Sequence, residues 1–66
     1  MNIKEMDIDK LKTLDKEILT DSELEELQEH SSVKWFENMG VSGFKTWLTW
    51  WDVLLTDGTS IDVYTE

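Results

Sequence analysis

The sequence predicts an α+β domain in which two N-terminal acidic helices pack on a C-terminal antiparallel β-hairpin or three-stranded meander. Three observations predict it. The first is a change of composition near residue 31. Residues 1–30 carry ten acidic side chains and four lysines, with no Gly and no aromatic residue, whereas all three glycines and all seven aromatic residues lie beyond residue 32. The second is a helix-start signal in LTDSELEEL, and the third is Asp57-Gly58 between two β-prone runs. At 66 residues this is one small domain, with a helical acidic part at 1–31 and an aromatic β part at 32–66. A chain of this length buries about 60% of the surface its unfolded state exposes. It contains no cysteine, so packing, large aromatics or oligomerisation must supply what disulfides supply elsewhere.

Taken in order, Ile8, Leu11, Leu14 and Ile18 fall at steps of three, three and four, the apolar stripe of a short helix. Thr20 as N-cap with Glu23 three residues on forms a capping box, and Leu19 with Leu24 forms a hydrophobic staple. Asp21 and Glu23 lie in the first turn, where the helix dipole favours anions. Leu24 and Leu27 then face inward, and the helix fades near His30-Ser31-Ser32. One continuous helix over 8–30 is the alternative, and the capping box argues for a break near residue 20.

In the second part, Asp57-Gly58 suits a two-residue type I′ turn. That turn pairs Thr56 with Thr59, Leu54 with Ile61, Asp52 with Val63 and Trp51 with Tyr64. The strand before it starts as early as Phe44. The same stretch, FKTWLTWWDVLL, also places Phe44, Trp47, Leu48, Trp51 and Leu55 at helical spacing. Strand is preferred because Thr46, Thr49, Val53 and the tryptophans are better strand formers. Residues 33–39 read as a first strand or as a short helix from Ser32 with Gly40 at C′, and strand is again preferred.

Alternation along a strand divides the side chains between two faces. Phe44, Leu48, Trp50 and Leu54, with Ile61 and Val63 across the hairpin, are expected under the helices. Trp47, Trp51 and Tyr64 are expected on the other face, as a partner-binding or dimer surface, because Trp and Tyr dominate binding hot spots. A simpler reading folds residues 33–39 or the N-terminus over that face to complete the core.

Charge bounds the partner. Fifteen Asp and Glu against six Lys, with no Arg, give a formal charge of −9 and a pI near 4.3. Nucleic-acid binding draws on Lys and Arg, and single strands need a basic groove around their stacking aromatics. Direct nucleic-acid binding is therefore not expected, and anionic membranes are disfavoured for the same reason. The opening MNIKEMDIDKLK has no secretory pattern and no apolar run reaches bilayer length, which together with the absent cysteines suggests a cytoplasmic protein. Glu26 and His30, four apart, could be half of a metal site, but a second ligand pair is missing. No metal, cofactor or catalytic residue is expected, since a pocket for acid–base work needs room that so short a chain can hardly enclose.

The run DSELEELQE places Asp21, Glu23, Glu25, Glu26 and Glu29 within nine residues. On a helix, Asp21, Glu25 and Glu29 rise in one stripe at about 6 Å per step, close to the spacing of two nucleotide steps. A solvated helix face is the simpler reading. The sharper one is a protein-binding inhibitor or modulator that mimics nucleic acid on the basic surface of a DNA- or RNA-handling protein. In size, charge and lack of catalytic groups the chain resembles the small acidic proteins that phages make against host nucleases, restriction systems or CRISPR effectors. That class-level resemblance implies the cytoplasm of an infected host cell. The alternative function is a self-associating accessory module, a homodimer closed by Trp47, Trp51 and Tyr64.

Overall fold

A four-stranded mixed sheet organises the computed structural model, which describes residues 2–43 and 47–66. A 3₁₀ turn at Ile3–Glu5 and helix α1 (Ile8–Lys12) lead into strand β1 (Ile18–Leu19) and helix α2 (Asp21–Glu29). Strands β2 (Val33–Val41), β3 (Thr49–Leu55) and β4 (Ser60–Thr65) follow. The order across the sheet is β1-β4-β3-β2. The last three strands run antiparallel, and β1 joins β4 in parallel. The expected pair of helices on a hairpin is therefore not what forms. Strands hold 39% of the described residues against 27% helical, and α2 is the one helix of seven residues or more among them.

The first expected helix is cut short after Lys12. The Thr13 hydroxyl donates to the Lys10 carbonyl at 2.6 Å, and Lys16 turns the chain with a φ of 68°. Residues 15–19 then lie along the outer edge of β4. Asp62 N–H donates to Asp15 Oδ1 at 2.9 Å, Lys16 N–H to the Asp62 carbonyl at 2.6 Å, and Tyr64 N–H to the Glu17 carbonyl at 3.0 Å. Ile18 and Leu19 complete the ladder opposite Tyr64 and Thr65. Continued helix would have left that edge with unpaired donors and acceptors. Of the apolar stripe, Leu11 and Leu14 are buried while Ile18 stays 47% exposed.

Helix α2 starts where the local chemistry places it. Thr20 Oγ1 accepts from Glu23 N–H at 3.2 Å and Glu23 Oε1 accepts from Thr20 N–H at 2.9 Å, a complete capping box. Leu19 and Leu24, flanking the cap, are both buried.

The β3–β4 turn differs from expectation by one residue. Leu55 N–H donates to the Thr59 carbonyl at 2.8 Å, and Gly58 N–H donates to the Leu55 carbonyl at 3.0 Å. Thr56, Asp57 and Gly58 thus form a three-residue loop, with Gly58 at a φ of 90° that favours glycine. Leu54 pairs with Ser60, Asp52 with Asp62 and Trp51 with Val63, so the expected register is corrected throughout. A one-residue slip exchanges the two faces of a strand relative to its partner.

One face of the sheet carries Val53, Leu55, Ile61 and Val63, buried against Ile3, Leu11, Leu14, Leu19, Leu24 and Leu27. Val33, Phe36 and Trp51 pack at the margin of this core. Each fully buried aliphatic or aromatic side chain contributes about 1.5–3 kcal/mol relative to exposure. Leu48 is also buried, but outside that cluster, in the connection where Ser42 N–H donates to its carbonyl. Phe44, expected to begin the strand and join the core, lies outside the described residues. No helix among the described residues is long and apolar enough to cross a membrane.

Candidate functional site

The five acidic residues of α2 divide into two groups. Asp21, Glu25 and Glu29 are exposed along one stripe of the helix. Glu23 is committed to the capping box, and Glu26 Oε1 accepts from Lys4 N–H at 3.4 Å. No lysine among the described residues is ion-paired to any of the five. Lys12 pairs instead with Asp57 at 2.7 Å and with Asp9 at 3.9 Å, and Lys16 pairs with Asp62 at 2.7 Å. The ridge is thus narrower than its composition suggests, and no ion pair among the described residues compensates its three exposed members.

The expected aromatic face does not form. Trp51 lies on the core side, its ring tilted 32° against Phe36 with centroids 4.9 Å apart, and its indole N–H donates to Thr65 Oγ1 at 2.9 Å. Tyr64 sits on the opposite side of the sheet and is buried to 7% exposure. Trp47 precedes β3 and is 65% exposed. The cause is the three-residue turn, which moves Trp51 under the helices and Trp50 to the other side.

That other side, away from the helices, holds side chains the sequence did not single out together. The strand pairings align them in three rows across β2, β3 and β4: Trp35, Leu54 and Ser60; then Glu37, Asp52 and Asp62; then Gly40, Trp50 and Tyr64. Bulges in β2 between Val33 and Trp35 and between Asn38 and Gly40 set this alignment. Trp35 is 58% exposed. In the central row, Asp62 Oδ2 accepts from Lys16 Nζ at 2.7 Å and Oδ1 from the Trp50 indole N–H at 3.0 Å. The Lys16 hydrogen bond holds the Asp62 carboxyl below the usual carboxylate range against partial burial, with Trp50 adding to it. No ion pair reaches Glu37 or Asp52 among the described residues.

A third feature is an open hollow of about 630 Å³ between the N-terminal segment and the end of α2, with His30 in its wall. Ser32 N–H donates to His30 Nδ1 at 3.0 Å. The ring proton therefore sits on Nε2, which donates to the Met6 carbonyl at 2.7 Å. Both ring nitrogens tie backbone to backbone, and Glu26 is turned to the Lys4 amide, so the two do not converge as ligands. Among the described residues no group of three or more His, Asp or Glu side chains is arranged to hold a metal ion. Comparison with protein-family models, curated proteins and solved structures finds no match to this chain.

Proposed function

We propose that this chain is a small protein-binding modulator whose α2 ridge occupies a basic surface, of the kind a nucleic-acid-handling protein presents to a phosphate backbone. The observation that carries the reading is the exposed stripe of Asp21, Glu25 and Glu29, with no lysine paired to it among the described residues. Partners engaged by charge are steered together and lost as salt rises. The same reading makes the chain a binding protein rather than an enzyme. Its single histidine is held by Met6 and Ser32, and cysteine and arginine are absent from the sequence.

The test uses tagged chain as bait at low salt, with duplex DNA as competitor. Proteins captured through the ridge should be released by DNA and by about 0.5 M salt, because exposed charges are screened within a few ångströms at that strength. They should also fail to bind the E25Q/E29Q variant. Capture that survives that double substitution in a folded variant would overturn the reading.

A further inference from the structure

We propose that the open sheet face is a second, separate binding site, which receives an arginine side chain from a basic segment of a partner protein between Trp35 and Trp50. It goes beyond the ridge reading and does not depend on it, since α2 belongs to the opposite side of the sheet.

The first argument is charge. Glu37 and Asp52 are direct partners across β2 and β3, and Asp52 and Asp62 across β3 and β4. Like charges in directly opposed positions, with Cβ atoms about 5 Å apart, oppose folding. At Asp62 the repulsion is relieved by Lys16 and the Trp50 indole. At Glu37 and Asp52 no cation relieves it among the described residues. A guanidinium placed there meets two carboxylates that accept its fork of N–H donors.

The second argument is the aromatic flank. Trp35 lies two residues from Glu37 along β2 and Trp50 two residues from Asp52 along β3, about 7 Å in each case. They stand on opposite sides of the acidic row. Trp50 is held in place by its bond to Asp62, so its ring loses little freedom on binding. Guanidinium stacks on an indole face while bonding carboxylates in its plane, which a lysine ammonium does less well.

Charge also decides among occupants. A second copy of this chain would bring another net −9 against the same row, and a phosphate backbone would be repelled by it. A basic segment is the complementary partner.

The experiment is an NMR titration of the full chain with the short peptide acetyl-Gly-Arg-Gly-amide and its lysine and citrulline counterparts. Shifts should centre on the Trp35 and Trp50 indole N–H groups and the amides of residues 37 and 52. Arginine should bind more tightly than lysine, and citrulline should bind far more weakly. E37Q/D52N, which relieves repulsion and so should remain folded, should weaken arginine binding severalfold. W35A should weaken it roughly two- to fivefold, the scale of one exposed cation–aromatic contact, and E25Q/E29Q should leave it unchanged. Citrulline matching arginine, or the same amides shifting with protein concentration alone, would overturn the site. Shifts that centre on α2 and vanish in E25Q/E29Q would also overturn it while leaving the ridge standing. Partner capture insensitive to E25Q/E29Q with the sheet-face shifts intact would do the reverse.

Discussion

Trp50 and Asp62 are joined side chain to side chain across β3 and β4, indole N–H to Oδ1 at 3.0 Å. The adjacent Trp51 makes the corresponding bond to Thr65 on the other side of the sheet. Two neighbouring tryptophans thus brace the same strand pair from opposite faces. They should differ in energetic weight. Trp51 packs at the core margin with Phe36, so Trp51→Ala should cost about 3 kcal/mol, the lower end of the range for large aromatics. Trp50→Phe keeps most of the ring and loses a bond to a partly exposed carboxylate, which should cost about 1 kcal/mol. Urea unfolding of the two variants measures this, and the reverse order would contradict the face assignment.

Neutralising the central acidic row should stabilise the fold. Asp52→Asn removes a like-charge opposition to both Glu37 and Asp62. The expected gain is about 0.2–1 kcal/mol, read as a higher urea midpoint that shrinks as salt is added. A loss of stability would mean that Asp52 has a structural partner.

The turn glycine tests the register. An added Cβ at Gly58 meets nothing within 4 Å, so the cost of Gly58→Ala is confined to its φ of 90°. A destabilisation of roughly 1–2 kcal/mol is expected. That corresponds to a fall in Tm of about 4–8 °C per kcal/mol for a domain of this size.

Acid should loosen the straps between the N-terminal segment and the hairpin. The hydrogen bond from Lys12, with a backbone bond from Thr59, lowers the Asp57 carboxyl from 3.8 to about 2. Lys16 lowers Asp62. Both carboxyls titrate lower in the folded chain than in the unfolded one, so their contribution is complete above the ordinary carboxylate range. For Asp57 it is lost as pH falls from about 4 towards about 2, and for Asp62 it is lost below the ordinary carboxylate range. The difference in urea midpoint between wild type and D57N should therefore close over that interval. The lysine partners are raised above 10.5, so their contribution is lost only as pH rises beyond that value.

His30→Ala should release the chain at both ends of its bridge. The Met6 carbonyl and the Ser32 N–H lose their partner together, at a cost of about 1–3 kcal/mol. Amide exchange at Ser32 should accelerate more than at Leu27. His30→Gln, able to accept from one group and donate to the other, should recover part of the loss.

How much of this was legible depended on the range of the interaction. The capping box at Thr20 and Glu23 is settled within four residues, and its sequence pattern sufficed. The exposed spacing of Asp21, Glu25 and Glu29 followed from helical geometry. Asp57-Gly58 correctly located the turn, but such a pair serves two-residue and three-residue loops alike, and that one-residue difference placed Trp50 and Trp51 on the wrong faces. The stripe through Ile18 failed because its competitor, the open edge of β4, lies 46 residues away at Tyr64. The grouping of Trp35 and Glu37 with Asp52 and Trp50 depended on the register of β2 on β3, shifted by a bulge between Asn38 and Gly40 that alternation alone does not reveal.

The parallel pairing of β1 with β4 also sets when the domain can form. Local hairpins close quickly, whereas contacts between distant segments must first meet a large loop-closure cost. Ile18 and Leu19 are made early but find their partners at Tyr64 and Thr65, the last pair of the sheet to be synthesised. During translation the edge segment must therefore wait, unpaired, until β4 has emerged. Docking of residues 15–19 is then expected as the closing step of folding, the one that turns a meander with a bare edge into the finished sheet.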